Sequence, residues 1–576
     1  MVSATSSTSD ARALAAELAA RDDDALAALF AARGVSAAAS WRDFFDAAEA
    51  LLEPTSIDRA LTRLPRTALH ALTADPVVGP ARRVTEARAL THPDGSPYRA
   101  VAARVHARAA EEPGAFTAPA PAEEPATATG TDAAAAAERA ALSIASLADI
   151  LLLMLATPLA RTGTGAVSAA DRRRAVEAGA VDDGDELDDL LAAAAAADLA
   201  APVGREWLVT DEGATWLHAS TPERWRRVVE GWRAALPEAL RTETGGVVPL
   251  ALWRDAYPLD PDWPPRAAQL TRLARAWGLV SPSGAEPPWA APLRRGEAAD
   301  ETALAALLPP EIDRVYLQAD LSVIAPGPLA PALDLRLRTM ADRESRAQAS
   351  TYRFSAESIA RAVGAGETAE SLRSFLSGLS LTGIPQPVDY LIERTASRHG
   401  LIQVRTDPAS GRTLVTSDEP SVLATLEVDQ AVRSIGLIPD GDALTSRVAR
   451  DAVYWTLVDA RYPVVALAPD GAPEPLQRRR LTPAASDGGG AYDRLIATLR
   501  VQREDDADTA WLGRELDAAV RARATIVVVA ALPDGSTREF VLEVTGLGGG
   551  RLRGRDRGSD VERTLPVSSI VSARPL

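Results

Sequence analysis

Near the start of the chain, Leu14, Leu18, Leu26 and Leu29 recur at helical spacings, and Asp22, Asp23 and Asp24 stand where a helix N-terminus favours anions. Trp41, Phe44, Phe45, Ala48 and Leu51 make a second apolar stripe, and Thr55-Ser56 precede Ile57, Ala60 and Leu61 as a helix start. The pattern predicts a helical N-terminal region over residues 1–108. Residues 109–134 are rich in Ala, Pro, Glu and Thr and almost lack large apolar side chains. They predict a disordered linker, because such a segment cannot bury enough surface to offset chain entropy. The most apolar run, residues 142–160, is interrupted by Asp149 and carries Pro158 near its end. It reads as a buried helix rather than a membrane span, which needs about 20 residues with few charges.

Two stretches inside residues 135–300 share a layout. The first is a helix over residues 187–197, a short polar turn, Trp207-Leu208-Val209 and a helix from Asp211. The second is a helix over residues 267–277, a turn after Gly278-Leu279-Val280, then Ala291-Pro292-Leu293. A helix followed by a small hairpin predicts winged-helix-like units, which bind DNA through a recognition helix or serve as protein contacts. Between them, Trp225, Val228, Val229 and Trp232 form one apolar helix face. Arg224, Arg226, Arg227 and Arg233 then read as its solvated side rather than as a phosphate-binding surface.

Residues 310–470 alternate strand and helix patterns and predict an α/β domain. A strand over residues 315–325 stops at Pro326-Gly327-Pro328, Tyr352-Arg353-Phe354 leads into a helix capped by Ser355, and Pro385-Gln386-Pro387 opens another. Residues 471–504 read as a linker. Residues 505–576 read as a helix followed by a small bent sheet or barrel, with a loop at residues 546–550. The fold class expected is multidomain α+β: a helical N-terminal region, winged-helix-like units, an α/β domain and a small C-terminal barrel-like domain.

A chain of 576 residues needs several cores. Its net charge of −17 opposes non-specific attraction to phosphates, so nucleic-acid contact would need local arginine patches. Cysteine is absent, which excludes disulfides and thiolate metal sites. Lysine is absent too, so all 62 basic residues are arginine, and the heavy Ala and Arg usage suggests a GC-rich bacterial genome. Gly549 to Gly554 has the outer glycine spacing of a P-loop, but Arg555 and Asp556 follow where that motif needs a compact ammonium. The five histidines form no metal or hydrolase motif. No catalytic residue, metal site or cofactor is expected. The Ser/Thr-rich start is no signal peptide, and a cytoplasmic, membrane-free location is expected.

A series of local features runs through residues 316–404: Leu317-Gln318-Ala319-Asp320 before the strand, Tyr352-Arg353-Phe354-Ser355, Glu357-Ser358, Gly364 with Gly366, Phe375-Leu376 and Ile384-Pro385-Gln386-Pro387-Val388. It resembles the N-terminal domain of the XPB-type repair helicases, and more closely the stand-alone bacterial helicase-associated proteins. Ser56-Ile57-Asp58-Arg59-Ala60-Leu61 is similar to the latter as well. The resemblance implies a DNA-associated accessory role without a motor, with DNA and a helicase or transcription protein as partners. The last domain weakly resembles a WYL module, although Arg551-Leu552-Arg553 stands where its naming tripeptide belongs. Candidate DNA-binding residues are Arg172, Arg173 and Arg174; Arg336, Arg338, Arg343 and Arg346; and Arg551, Arg553, Arg555 and Arg557. The last four would share one strand face, or else guard an exposed sheet edge. The alternatives are a protein-interaction scaffold and a ligand-sensing transcription regulator.

Overall fold

The computed structural model describes residues 4–121, 123–345, 350–398, 400–472, 474, 476, 481–482, 490–501, 507–532 and 536–575. It is multidomain α+β, with five hydrophobic cores and several small sheets among the described residues. The first core gathers the N-terminal helices. Asp22 caps the helix Asp23–Arg33 through the amide of Ala25 at 2.7 Å, and Gly34 closes it at a φ of 62°. Leu14, Leu18, Leu26, Leu29, Phe44 and Leu51 are buried, as their spacing predicts. Arg33 is buried as well, and burial with the nearby Arg59 pulls its pKa down to about 10.

Both expected linkers are corrected. Within residues 109–134, the helix Arg99–Glu111 runs on, Pro113–Phe116 makes a 3₁₀ turn that buries Phe116, and a long helix, Gly130–Ala156, begins. Short side chains fit close helix approaches: Ala133, at the end of the expected linker, is buried, and so are Ala136, Ala137 and Ala140 beyond it. Within residues 471–504, the helix Asp493–Val501 returns to the first core, where Leu495, Ile496 and Leu499 are buried. Tyr492 donates to the Val35 carbonyl at 2.9 Å, and Arg500 donates to the Ala19 carbonyl at 2.9 Å. The N-terminal unit is thus completed by a segment more than 450 residues away.

The second core is built on Gly130–Ala156. That helix is long and apolar enough to cross a membrane, yet 56% of its most apolar window is buried inside the protein. After it come β1 (Leu159–Ala160), the helices Ala169–Glu177 and Gly184–Ala196, and the hairpin of β2 (Ala200–Val203) and β3 (Glu206–Val209), in the sheet order β1-β3-β2. The second of the expected hairpins is absent: Ala291-Pro292-Leu293 lies in the helix Ala290–Arg295. Proline is tolerated in a first helical turn, and Gly296 at a φ of 90° ends this one. Indole N–H groups stitch the core together: Trp225 donates to the Trp277 carbonyl at 2.8 Å, Trp289 to Gly278 at 2.8 Å and Trp263 to Trp253 at 2.7 Å.

Among the described residues one turn recurs five times. Gly95, Gly165, Gly245, Gly284 and Gly471 each sit at a φ between 79° and 92°, and each donates its amide, at 2.9–3.0 Å, to the carbonyl three residues back. The sequences are His92-Pro93-Asp94-Gly95, Thr162-Gly163-Thr164-Gly165, Thr242-Glu243-Thr244-Gly245, Ser281-Pro282-Ser283-Gly284 and Ala468-Pro469-Asp470-Gly471.

Residues 310–470 hold two cores rather than one. In the first, β4 (Tyr316–Leu317), β5 (Ser322–Ala325), β6 (Asp342–Ser345) and β7 (Ser350–Arg353) form a sheet of order β4-β5-β7-β6. Ser355 and Ser358 form a capping box on the helix Ala356–Gly364, which accounts for the spacing of that motif. In the second, β8 (Ile402–Thr406), β9 (Thr413–Thr416), β10 (Ile438–Asp440), β11 (Ala443–Ser446) and β12 (Val464–Ala466) take the order β10-β11-β9-β8-β12.

The last unit is an antiparallel sheet of β13 (Thr525–Ala531), β14 (Thr537–Gly548), β15 (Arg551–Asp556), β16 (Val561–Pro566) and β17 (Ile570–Pro575), ordered β16-β15-β14-β13-β17. It is an open sheet with β16 and β17 at its two edges, bent by irregularities in β13 and β14. Leu512, Leu516 and Ala519 of the helix Ala507–Ala522 share a core with Val528, Leu542 and Leu552. The loop expected at residues 546–550 shrinks to a tight turn, with Gly549 at a φ of 59° and Gly550 at 70°.

Candidate nucleic-acid interface

Most of the candidate arginines are committed within the chain. Arg338 leaves its helix, Pro331–Met340, to reach Asp149 Oδ1 at 2.6 Å, and Arg343 on β6 binds Asp149 Oδ2. The Asp149 side chain is 4% exposed. The polar residue that interrupts the long apolar helix is therefore the anchor of the next domain. Tyr352 on β7 donates to Asp334 Oδ1 at 2.5 Å, and burial together with Asp334 pushes its phenol pKa up. Arg224 completes the cluster. It is buried, donates to the carbonyls of Trp216 and Leu217, and lies 5.0 Å from the Trp216 ring centroid. Burial lowers its pKa to about 10.

Arg224 thus departs from the solvated role expected of it. Its neighbours on the helix Thr221–Ala235 are also engaged: Arg226 with Glu230 and Glu301 at 3.1 Å, Arg227 with Glu212, and Arg233 with the Glu297 carbonyl at 2.6 Å.

In the first hairpin-bearing unit, Arg172 forms an ion pair with Asp188 at 2.7 Å and donates to the Gly184 carbonyl at 2.8 Å. Arg174 contacts Asp171 at 3.2 Å and the Thr157 carbonyl at 2.9 Å. Of this triplet only Arg173 points to solvent without such a partner among the described residues. The helix Gly184–Ala196, which precedes the hairpin, carries Asp185, Glu186, Asp188 and Asp189 and no arginine. Arg336 pairs with Glu367 at 3.2 Å and lies 4.5 Å from the Phe375 ring centroid. Arg346 lies outside the described residues.

The last sheet differs. Along β15, Arg551, Arg553 and Arg555 are exposed, alternating with buried Leu552, Gly554 and Asp556. β15 lies between β14 and β16, so its arginines do not guard an edge; an edge strand would need one unpaired ladder. Arg555 pairs with Asp560 at 2.7 Å and faces Glu543 and Glu562 across the sheet, and Arg557, beyond the strand, approaches Glu543 at 4.0 Å. Arg551 and Arg553 have no ion pair among the described residues, and the residues opposite them are Gly548, Pro566, Gly546 and Thr564. Asp556 lies at the far end of β15 from Arg551, on the opposite face. Its hydrogen bonds from Arg563, Ser559 and the Gly558 amide hold its carboxyl down at about 2. Gly549 to Gly554 runs from turn into strand, whereas a phosphate-cradling P-loop runs into a helix.

Residues 315–439 match the family described as the helicase conserved C-terminal domain. This segment is helicase-related. It covers the sheet of β4 to β7 with its helices and continues into the next core as far as β10. The match names a C-terminal helicase domain, where the sequence resemblance names an N-terminal one. No curated protein matches the chain. Arg338 and Arg343 belong to the helicase-related segment, and both are spent on Asp149. Sequence reading missed that pairing because its partner lies almost 190 residues upstream. Charge inside an otherwise apolar run was the available signal.

Proposed function

We propose that the chain is a non-enzymatic, DNA-associated accessory protein linked to a helicase in repair or transcription, and that it touches nucleic acid through the outer face of its last sheet. The observation that carries the reading is the pair Arg551 and Arg553: two exposed guanidiniums, one on each side of Leu552, among neutral neighbours in an otherwise acidic chain. Guanidiniums with open neighbours bind phosphate oxygens, and phosphate contacts supply most non-specific affinity. The helicase-related segment supplies the link to DNA transactions. Its capping-box motif at Ser355 and Ser358 fits the proposed kinship with the N-terminal domain of XPB-type helicases. The bent last sheet fits the proposed WYL-like character. The absence of lysine supports the non-enzymatic part.

The order helix–strand–helix–helix–hairpin, with sheet order β1-β3-β2, supports a winged-helix unit within residues 130–209. Its acidic helix Gly184–Ala196 would be repelled by a groove, so we assign that unit to protein contact. A salt titration of the full chain against duplex and single-stranded DNA tests the reading. Binding near 50 mM salt that weakens steeply as salt rises is the expected result, and absence of binding at about that concentration overturns it.

A further inference from the structure

The second core contains a cavity of about 310 Å³. That volume is at the lower end of small-molecule sites. Val247, Leu279, Val280 and Leu293 line it with Trp232, and residues 123–126 cross one side as a strap. The strap is held in place by backbone hydrogen bonds, from the Glu286 amide to the Ala126 carbonyl at 2.7 Å and from the Ala128 amide to the Glu286 carbonyl at 2.8 Å. Charge gathers in Glu123, Glu124, Glu286 and Arg294. Arg294 is already shared, at 2.7 Å from Glu124 and 2.9 Å from Glu286.

Trp232 is 3% exposed, and its indole N–H has no hydrogen-bond partner among the described residues. In the same core Trp216, Trp225, Trp253, Trp263 and Trp289 each donate to a backbone carbonyl at 2.7–3.0 Å. Trp277 shares the lack of a partner, but only Trp232 of the two borders the cavity. Leaving a buried donor unmade costs free energy that a matching acceptor would recover. Mostly apolar walls that include a side chain with an orphan donor suit an apolar guest better than a water, which needs two to four polar partners.

We propose that this cavity is a binding site for a small neutral molecule, apolar over most of its surface, whose single hydrogen-bond acceptor meets the Trp232 indole N–H. An anion is disfavoured because three carboxylates surround an arginine that is already shared between two of them. A cation is disfavoured because the walls would strip its hydration without replacing it. The guest would touch the strap and tie it to the second core, so that binding tightens the path between the first two units.

Fluorine NMR on the full chain tests this with para-fluoroacetophenone and its isostere para-fluoro-α-methylstyrene, in which a methylene replaces the carbonyl oxygen. Both probes should broaden at about millimolar concentration, with the ketone bound roughly three- to tenfold tighter, the worth of one net hydrogen bond. Trp232→Phe should erase that preference while the alkene still binds, and Ala290→Met, which fills the cavity, should weaken both probes. The proposal is overturned if neither probe broadens with the unaltered protein, or if ketone and alkene bind it equally. Survival of the preference in Trp232→Phe would overturn it too.

Discussion

Arg338 and Arg343 end on one carboxylate, with 21% and 16% of their side chains exposed, while Arg551 and Arg553 stand on an open sheet face beside neutral residues. The two pairs carry the same charge. In the first, the guanidiniums are removed from water and must be paired, so they fix the helicase-related segment on the helix Gly130–Ala156. In the second, hydration is retained and the charge is available to a partner. An arginine cluster in an acidic protein is free only where the tertiary neighbours carry no carboxylate.

The largest effect should come from breaking the buried pair. Asp149→Ala takes from two partly buried guanidiniums the carboxylate they share, leaving Arg338 only the longer contact to Asp334 at 3.7 Å, and should cost about 3–5 kcal/mol in urea unfolding. An unchanged midpoint would make the buried set as dispensable as the open one. Ile496→Ala extends the comparison to the apolar tie between distant segments. It should lower the stability of the N-terminal unit by about 2–4 kcal/mol, seen as faster amide exchange in the helix Asp23–Arg33.

The double change Arg551→Ala with Arg553→Ala should leave stability within about 0.5 kcal/mol and reduce the log–log salt slope of DNA binding by roughly 2. Arg173→Ala, at another exposed arginine, sets the background for that measurement; an equal loss there would show that position on the sheet does not matter. The smallest effect is acid sensitivity at the foot of the arginine face. The Asp556 carboxyl is held lower in the folded chain than in the unfolded one. Its contribution is therefore complete above about pH 4 and lost as the pH falls toward about 2. Asp556→Asn should flatten the pH dependence of the last sheet over that window, read by circular dichroism.

Elements with a strong local pattern were legible. Asp22 and Ser355 sit at helix starts, the stripe at Phe44, Ala48 and Leu51 is buried, and alternation marked β15 together with its exposed face. The five-fold turn ending in glycine was written in the sequence but went unread, because its spacing is irregular and each copy spans only four residues. The strongest misreading was the pair of linkers. Ala133 lacks the bulk that signals a core, yet its smallness lets helices approach closely. The helix Asp493–Val501 shows a core pattern whose partners lie at the opposite end of the chain.

Composition and local periodicity settled what depends on a residue and its near neighbours: the absence of lysine and cysteine, the caps, the apolar stripes and the alternation of the last strands. Which charges are spent and which stay open was decided only by the tertiary structure. A guanidinium's availability depends on the carboxylates within a few ångströms of it, and Asp149 reaches Arg338 and Arg343 through space, not along the chain.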